Sequence, residues 1–359
     1  MDALLGITFG DWCRLLGENR FAVDPGCYKK ALVLTLASLM NTAGRWHEER
    51  LYRERIAEVE RIPAPLFIIG HWRTGTTLLH NLLRLDERFA YPTLFQVSNP
   101  HTFLSREEKA AERWANAPRV KRPMDNMKVR FDSPGEDEFA IATLSLRSPI
   151  IGWAFPRRAR HYDQYLTFDD APEADVARWQ DALRAFLRKL TWKYDRPLLL
   201  KSPAHTGRIR LLLRIFPGAR FIHLHRDPYT VFQSTQRLYE YAVTPSHLQQ
   251  TDQEEAEGSI LRRYAAMYDA FFRDRALIPN GRLCDVCFEE LEEDKVGQVR
   301  RIYEQLNLPG FTDLEPQLER YVESISDYQK TRHPPLSESE RQKIRDWWQQ
   351  SFEMWAYTT

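Results

Sequence analysis

The sequence predicts an α/β fold in which helices flank a central parallel sheet on both faces. Apolar runs at residues 66–69, 197–200 and 220–225 have the length and composition of buried strands. Helical periodicity follows between them, most clearly at residues 175–194, where apolar side chains recur on one stripe. Strands that alternate with helices in this way usually pair in parallel, with helices covering both faces.

Composition changes divide the chain into three predicted parts. Residues 1–62 form a helical N-terminal extension, because a charged helical stretch stops at Pro63 and Pro65. Residues 63–310 carry the alternation of strands and helices and form the core. Residues 311–359 are polar and are predicted to cover it.

The charge balance argues against a general nucleic-acid partner. The 51 Lys and Arg residues nearly cancel the 50 Asp and Glu residues, which leaves a formal net charge of +1. Nucleic-acid binders usually carry a larger basic excess, because phosphate neutralisation supplies much of their affinity. Any anion site in this chain is therefore expected to be local.

We predict a cytoplasmic protein without a transmembrane segment. The chain does not open with a signal-peptide pattern, and its four cysteines are too few for a disulfide-built secreted domain. The longest apolar stretch near the start is residues 31–40, whereas about twenty residues are needed to cross a bilayer. A packed helix is the favoured interpretation of this stretch, and a helix on a membrane surface is the alternative.

A turn after the first predicted strand has the features of a phosphate-binding loop. The strand leads into Gly70, and Gly75 opens a helix whose first backbone N–H groups point outward unpaired. Arg73 adds a fixed positive charge with several donors. The hydroxyl donors of the turn are Thr74, Thr76 and Thr77.

The spacing of this turn is similar to the Walker A loop of nucleoside-triphosphate enzymes, with one difference. The lysine position holds Thr76, and the basic residue comes earlier, at Arg73. Kinases and ATPases need that lysine, and they need an acidic residue to hold Mg²⁺. Asp227 follows a strand, but its position before Pro228 suits a helix cap. These differences argue against a nucleoside-phosphate kinase, which stays as an alternative.

A second candidate anion site follows the strand at residues 220–225. Arg226 stands at the carboxyl end of that strand, where open α/β sheets place their ligands. Asp227 and Pro228 suit the N-cap and first position of a helix. Ser234 lies about two helical turns beyond Asp227, on the same helix face, so Arg226 and Ser234 can contact one phosphate.

Together and in this order, the two segments resemble those of sulfotransferases that use 3′-phosphoadenosine 5′-phosphosulfate (PAPS). That family has a 5′-phosphosulfate loop of the Arg/Lys-Ser/Thr-Gly-Thr-Thr type, matched by residues 73–77. Its 3′-phosphate motif has an arginine that closes a later strand and a serine eight positions on, matched by Arg226 and Ser234. The resemblance extends to Lys201-Ser-Pro, Phe288-Glu-Glu-Leu and Tyr328-Gln-Lys-Thr-Arg, and it is strongest to a bacterial branch of the family.

The resemblance implies a P-loop-like three-layer fold and transfer of a sulfonate group from PAPS to a hydroxyl or amine. The products would be PAP and a sulfated acceptor, and no metal would take part. Residues 63–310 would be the PAPS-binding sulfotransferase core. The implied PAPS-binding residues are Arg73, Thr74, Gly75, Thr76, Thr77, Arg226, Ser234, Lys330 and Arg332.

Two cations are predicted to act in catalysis. In an in-line displacement, negative charge builds on the oxygen that leaves toward the 5′-phosphate, and fixed cations stabilise that charge. Arg73 matches the basic residue that performs this role in the family. Lys201, at the tip of a predicted strand, matches a second family lysine that neutralises or protonates the same oxygen.

The general base is open at this point. A hydroxyl acceptor needs a base within hydrogen-bond reach, but the positions where relatives carry a glutamate or a histidine hold other residues here. The remaining candidates are Glu136, Glu138, His205 and His101. Because Ser133-Pro-Gly-Glu136 has the pattern of a capping box, Glu136 has a structural alternative, and the catalytic prediction rests on Glu138 and His205.

The sequence does not identify the acceptor or the oligomeric state. The aromatic residues Trp153, Phe155, Tyr162 and Tyr165 favour a small-molecule or lipid-like acceptor. Cys284 and Cys287 have the spacing of a metal or redox pair, but on a strand they would face opposite sides. A protein that senses PAP or PAPS without transferring sulfonate is a further alternative.

Overall fold

The computed structural model describes residues 4–115, 117–122, 124–327 and 333–358. Lys330 and Arg332, two of the predicted PAPS-binding residues, lie outside the described residues. Within the described ranges, no helix is both long enough and apolar enough to span a membrane.

A four-stranded parallel sheet forms the centre of the molecule and confirms the predicted α/β class. Its strand order is β4–β1–β5–β6, and a separate antiparallel hairpin pairs β2 with β3. The strands are β1 Leu66–Ile69, β2 Val120–Lys121, β3 Lys128–Val129, β4 Leu199–Lys201, β5 Arg220–His225 and β6 Leu283–Cys287.

Helices occupy most of the remaining chain. In chain order they are α1 Phe9–Glu18, α2 Tyr28–Ala57, α3 Thr76–Leu83, α4 Leu94–Ser98, α5 Phe103–Trp114, α6 Asp137–Ser145, α7 Ile151–Ala154, α8 Ala159–Asp163, α9 Glu173–Tyr194, α10 Ile209–Ile215, α11 Pro228–Leu238, α12 Gln253–Asp274, α13 Phe288–Glu293, α14 Lys295–Gln305, α15 Phe311–Ser324 and α16 Glu338–Trp355.

Both faces of the sheet are buried, which explains why its strands have continuous apolar sequences. Phe67 and Ile69 of β1 belong to one hydrophobic cluster, which includes residues of α9, α10 and α12. Leu66 and Ile68 point to the opposite face and join a second cluster with residues of α3, α14 and α15. The strand therefore alternates between two cores, as the three-layer prediction requires.

The first two helices pack on the same body as the sheet. Trp12, Leu15 and Leu34 are buried members of the larger cluster. On α2, the buried Glu48 carboxylate accepts from the backbone of Ser105 at 2.9 Å and pairs with Lys189 of α9 at 2.7 Å. These contacts fix the orientation of α2 on the molecule.

The last two helices lie against opposite sides of the core. Leu314 and Leu318 of α15 belong to the cluster that contains α14. On α16, Trp348 is buried and its ring stacks on Tyr264 with 3.7 Å between centroids.

Candidate functional site

The predicted site residues follow strands that end at one edge of the sheet. Ile68 of β1 pairs with Lys201 of β4, and Ile69 pairs with His223 of β5, so the carboxyl ends of these strands are adjacent. In open α/β sheets, the crevice outside the carboxyl ends of the strands binds the ligand. The loops after β1, β4 and β5 therefore meet in the expected place.

Two glycines give the loop after β1 its shape. Gly70 has φ +136°, and a Cβ at this residue would lie 2.3 Å from the carbonyl oxygen of Leu224. Gly75 has φ +95°, and a Cβ there would lie 2.2 Å from the ring of Phe288. Both positions therefore require glycine, for backbone conformation and for space.

Backbone and side-chain contacts hold this loop under the N-terminus of α3. The Gly70 amide donates to Thr206 Oγ1 at 2.7 Å. The Thr74 side chain is buried, and its hydroxyl donates to the carbonyl of His71 at 2.8 Å. Thr74 was predicted to offer its hydroxyl to the ligand, but the structure uses that hydroxyl inside the loop. Thr76 and Thr77 open α3, where the helix dipole favours an anion.

Arg73 connects the first motif to the second. It has a positive φ of 75°, which is unusual for a residue with a side chain. Its Nε donates to Ser234 Oγ at 2.9 Å, and its Nη1 pairs with Asp125 Oδ2 at 2.9 Å. The loop arginine and the serine of α11 are thus in direct contact, although they are far apart in sequence.

Arg226 extends toward the same point. Its Nη1 donates to the carbonyl oxygen of Arg73 at 3.2 Å, and its guanidinium lies 4.2 Å from the centroid of the Phe288 ring. Burial lowers the pKa of Arg226 from its usual value, so the cation is held in a partly desolvated place. The cap of the following helix forms as predicted, with Asp227 Oδ2 accepting from the Thr230 amide at 2.8 Å.

These residues line one open cavity of about 1280 Å³. The predicted residues in its wall are Arg73, Gly75, Thr76, Thr77, Arg226 and Ser234. Sequence reasoning missed four further lysine and arginine residues in the wall. Arg119, Lys121 and Lys128 lie in or beside the β2–β3 hairpin, and Lys295 begins α14. It also missed residues 321–322, 324–327 and His333, which bring the C-terminal segment to the cavity.

Asp125, at the turn of the hairpin, was also missed. Its carboxylate pairs with Arg73 and with Arg122, at 2.9 and 2.5 Å. Burial would raise the pKa of Asp125, but the guanidinium groups of Arg122 and Arg73 outweigh it and lower that pKa. The carboxylate is thus an internal counter-ion at the mouth of the anion site.

Lys201 forms a second charged centre at the sheet edge. Its side chain is almost fully buried, and its Nζ lies 2.6 Å from Glu136 Oε1. The described residues that line the cavity do not include Lys201. The predicted capping box at Ser133 does not form: Ser133 Oγ accepts from the Arg130 amide, and the Glu136 side chain makes no cap. The Glu136 carboxylate pairs with Lys201 instead.

Glu138 and His205, the two residues on which the prediction of a base rested, lie in the core. Glu138 forms a bidentate ion pair with Arg208, at 2.5 and 2.9 Å, and accepts from Ser148 Oγ at 2.6 Å. His205 Nε2 lies 2.6 Å from Asp137 Oδ2, and both side chains are fully buried. A general base must lie within hydrogen-bond distance of the hydroxyl of the acceptor substrate. The buried positions of Glu138 and His205 do not suit that role.

His101, the fourth candidate, lies near the α2–α9 contact. Burial, with smaller contributions from Lys189 and Arg45, lowers the pKa of His101 to about 3. This residue is therefore neutral and enclosed, and it is not among the described residues that line the cavity.

All four aromatic residues that the sequence analysis associated with the acceptor are buried in the core. The Tyr165 hydroxyl donates to Asp175 at 2.8 Å. Trp153 also reaches the phosphate loop, because its ring contacts that of Trp72, with 6.3 Å between centroids. Phe139 of α6 packs on Trp153 as well, at 6.1 Å.

The cysteine pair behaves as two separate side chains. Cys284 is buried and Cys287 is partly exposed, as expected for residues on opposite faces of β6. Within the described ranges, no group of three or more His, Cys, Asp and Glu residues is arranged to hold a metal ion.

Comparisons with known proteins find relatives among the sulfotransferases. A family model described as the sulfotransferase family matches residues 65–313. The omega-hydroxy-beta-dihydromenaquinone-9 sulfotransferases of Mycobacterium bovis and Mycobacterium tuberculosis are each 34% identical over 360 residues, covering 98% of this chain and 90% of the relative.

Two solved structures share the fold at lower identity. Sulfotransferase STF9 from Mycobacterium avium superposes with a TM-score of 0.69 at 20% identity, covering 92% of this chain and 86% of that chain. Sulfotransferase STF1 from Mycobacterium tuberculosis superposes with a TM-score of 0.61 at 20% identity, covering 83% and 82% of the two chains.

Proposed function

The chain belongs to the sulfotransferase family, and from that premise we propose that it transfers a sulfonate group from PAPS to a hydroxyl of a lipid-like acceptor. Its membership makes it an enzyme of the sulfotransferase class. The donor, the acceptor and the roles of individual residues are the content of the proposal.

The choice of PAPS as the sulfonate donor rests on one observation. The loop after β1 and the end of strand β5 supply anion-binding groups to one cavity. Arg73, Arg226 and Ser234 converge there, and the N-terminus of α3 opens into it. A sulfonate donor with phosphate groups at both its 3′ and 5′ positions fits this pair of sites, because each phosphate needs its own cation and its own hydrogen-bond donors. We assign residues 73–77 to the 5′-phosphosulfate and Arg226 with Ser234 to the 3′-phosphate.

The proposed reaction is a single in-line displacement at sulfur. The bond between sulfur and the bridging oxygen of the 5′-phosphosulfate breaks while the acceptor oxygen bonds to sulfur. The electron pair remains on the 5′-phosphate of PAP, where Arg73 and the amides at the start of α3 stabilise it. The acceptor proton must pass to a base on the opposite side of the sulfur.

Of the four base candidates, Glu136 is the one whose position supports the role. Its carboxylate is partly exposed at the sheet edge and is held 2.6 Å from Lys201. The contact with Lys201 holds the Glu136 carboxylate in one orientation at the sheet edge, as a general base requires. Lys201 is therefore proposed to position Glu136 as well as to contribute positive charge near the leaving oxygen.

The proposed acceptor class follows from the relatives and is supported by local aromatic packing. The relatives that cover nearly all of this chain are named for a menaquinone derivative with a terminal hydroxyl. In this chain, Trp72, Trp153 and Phe139 form an aromatic group that adjoins the phosphate loop. The roles of Lys330 and Arg332, and a location in the cytoplasm, stay predictions.

Calorimetry with PAP tests the donor assignment. We expect PAP to bind and AMP, which lacks only the 3′-phosphate, to bind about tenfold or more weakly, because a charged hydrogen-bonded contact is lost. In Arg226→Ala, the difference between PAP and AMP should largely disappear. If the native protein gives no heat with PAP, or binds PAP and AMP equally, the assignment is wrong.

Transfer from radiolabelled PAPS to a panel of lipid alcohols tests the activity itself. Labelled product that depends on the enzyme and on the hydroxyl of the acceptor supports the proposal. Tight PAP binding without transfer to any acceptor would favour the sensor, and consumption of ATP by a nucleoside phosphate would favour the kinase.

A further inference from the structure

The outward side of α2 is covered by large apolar side chains. We call this surface the apolar face of α2. Its residues have 47–68% of their surface exposed and are Tyr28, Leu32, Val33, Leu36, Leu39, Met40 and Trp46. Single exposed apolar residues are common on protein surfaces, but a contiguous group of this size marks an interaction site.

The apolar face of α2 lies opposite the side by which the helix is attached to the molecule. Leu34, Ser38 and Asn41 are buried, and the Asn41 amide donates to the carbonyl oxygen of Leu5 at 2.7 Å. At about 100° per residue, the exposed apolar positions fall on the half of the helix that faces away from these contacts. From Tyr28 to Trp46 the face extends about 27 Å along the helix axis, at a rise of 1.5 Å per residue.

The neighbouring α1 widens this surface. The Phe9 backbone amide donates to Thr42 Oγ1 at 2.8 Å, which puts Phe9 beside the apolar face of α2. Phe9 and Leu5 are themselves exposed. The surface is therefore broader than one helix, and its backbone is held by contacts to the rest of the molecule.

The exposed charged residues nearest the apolar face are mainly basic, and the exposed Glu54 follows them. Lys29 stands at its start, and Arg50 and Arg53 follow it, all exposed. No Asp or Glu occurs between Asp24 and Glu48. Glu48 is buried against Lys189, and Glu49 pairs with Arg45 at 2.7 Å.

We propose that the apolar face of α2 docks the protein on the surface of an anionic lipid bilayer. Helices that lie in a membrane interface combine an apolar face with cations that contact anionic headgroups, and both are present here. The helix would lie parallel to the bilayer plane, with Leu36, Leu39 and Met40 below the headgroups. This position would bring the enzyme to a surface that contains lipid-like acceptors.

Charge argues against a second copy of the chain as the occupant. In a two-fold pair of antiparallel α2 helices, Lys29 of one copy would approach Arg50 and Arg53 of the other. In a parallel pair, each arginine would approach its own counterpart. Both arrangements place like charges together around an apolar contact, which destabilises it, whereas an anionic surface is complementary to all three residues.

Co-sedimentation with vesicles tests the proposal, using vesicles that contain no quinone or other acceptor. We expect the native protein to bind vesicles of phosphatidylcholine and phosphatidylglycerol more strongly than vesicles of phosphatidylcholine alone, and to lose binding as salt is raised. Leu36→Glu should reduce the partition coefficient about tenfold or more, because a charge replaces an inserted leucine.

Leu277→Glu is the matched control, since Leu277 is also an exposed leucine, at 49% against 56% for Leu36. This variant should bind vesicles like the native protein. A double variant, Arg50→Ala with Arg53→Ala, should lose most of the preference for anionic vesicles. Calorimetry with PAP and thermal melting of each variant report whether the fold is intact.

Two results would overturn the proposal. One is equal vesicle binding by the native protein and Leu36→Glu, or no binding by either. The other is a dimer in sedimentation velocity that Leu36→Glu converts to a monomer, which would assign the face to a second copy. Arg73→Ala should still bind vesicles, so failure of the catalytic assignment and failure of membrane docking are distinguishable.

Discussion

Two charged regions of the molecule differ in what surrounds them. At the edge of the sheet, Arg73 and Arg226 face an open cavity, and the contacts they make leave donors directed into it. Beneath α6, the Glu138–Arg208 and Asp137–His205 pairs are fully buried. Charged side chains at the edge are available to a ligand, whereas those in the core pair with each other.

The three consecutive acidic residues at the start of α6 show this difference within one turn of helix. Glu136 turns to Lys201 at the sheet edge, Asp137 to His205, and Glu138 to Arg208. Because successive helical residues point about 100° apart, adjacent carboxylates face different environments. Burial, more than residue type, therefore separates a candidate base from a structural ion pair.

The largest predicted effect concerns Arg73, the cation at the centre of the open region. Arg73→Ala should lower kcat about 10³-fold, because a fixed donor to the leaving oxygen is removed. Steady-state transfer of radiolabel measures this, and Arg73→Lys should recover part of the activity. Turnover within twofold of the native enzyme, in a folded variant, would remove Arg73 from the mechanism.

Glu136→Gln and Glu138→Gln compare the two regions directly. Glu136→Gln should lower kcat about 10²-fold through loss of the base. It should lower the melting temperature less than Glu138→Gln does, because Glu136 is partly exposed although its partner Lys201 is buried. Glu138→Gln should instead destabilise the protein by about 3 to 5 kcal/mol, because it leaves Arg208 buried without its partner charge. Thermal unfolding and turnover of both variants separate the effects. Equal losses of stability would contradict the assignment of Glu136 to the site.

Arg226→Ala tests whether the second motif serves the donor. We expect the KM for PAPS to rise about 10- to 100-fold while the KM for the acceptor changes little, because a charged contact to the 3′-phosphate is lost. An equal rise in both constants would argue against the 3′-phosphate assignment.

The smallest effect concerns Asp125, which brings negative charge to the open region. Asp125→Asn should tighten PAP binding about two- to fivefold, because Arg73 and Arg122 lose a competing carboxylate. Calorimetric titration with PAP measures the change. Weaker binding would mean that Asp125 chiefly holds Arg73 in place.

The sequence by itself determined the parallel α/β fold and both anion motifs. These features depend on local signals: apolar strands, a turn that requires Gly70 and Gly75, and the Asp227 cap. Such signals depend mainly on backbone conformation and neighbouring residues, so they can be recognised without knowledge of distant contacts. The division at residues 62 and 310 stays a prediction.

Only the tertiary structure decided how individual side chains are used. It put Glu138 and His205 in the core, turned Glu136 to Lys201, brought Asp125 to Arg73 and left the apolar face of α2 exposed. Each outcome depends on a partner dozens of residues or more away in sequence, or on which side of a helix the body covers. A spacing pattern in the sequence shows neither the distant partner nor the covered side of the helix, because burial and charge pairing are set by packing between distant elements.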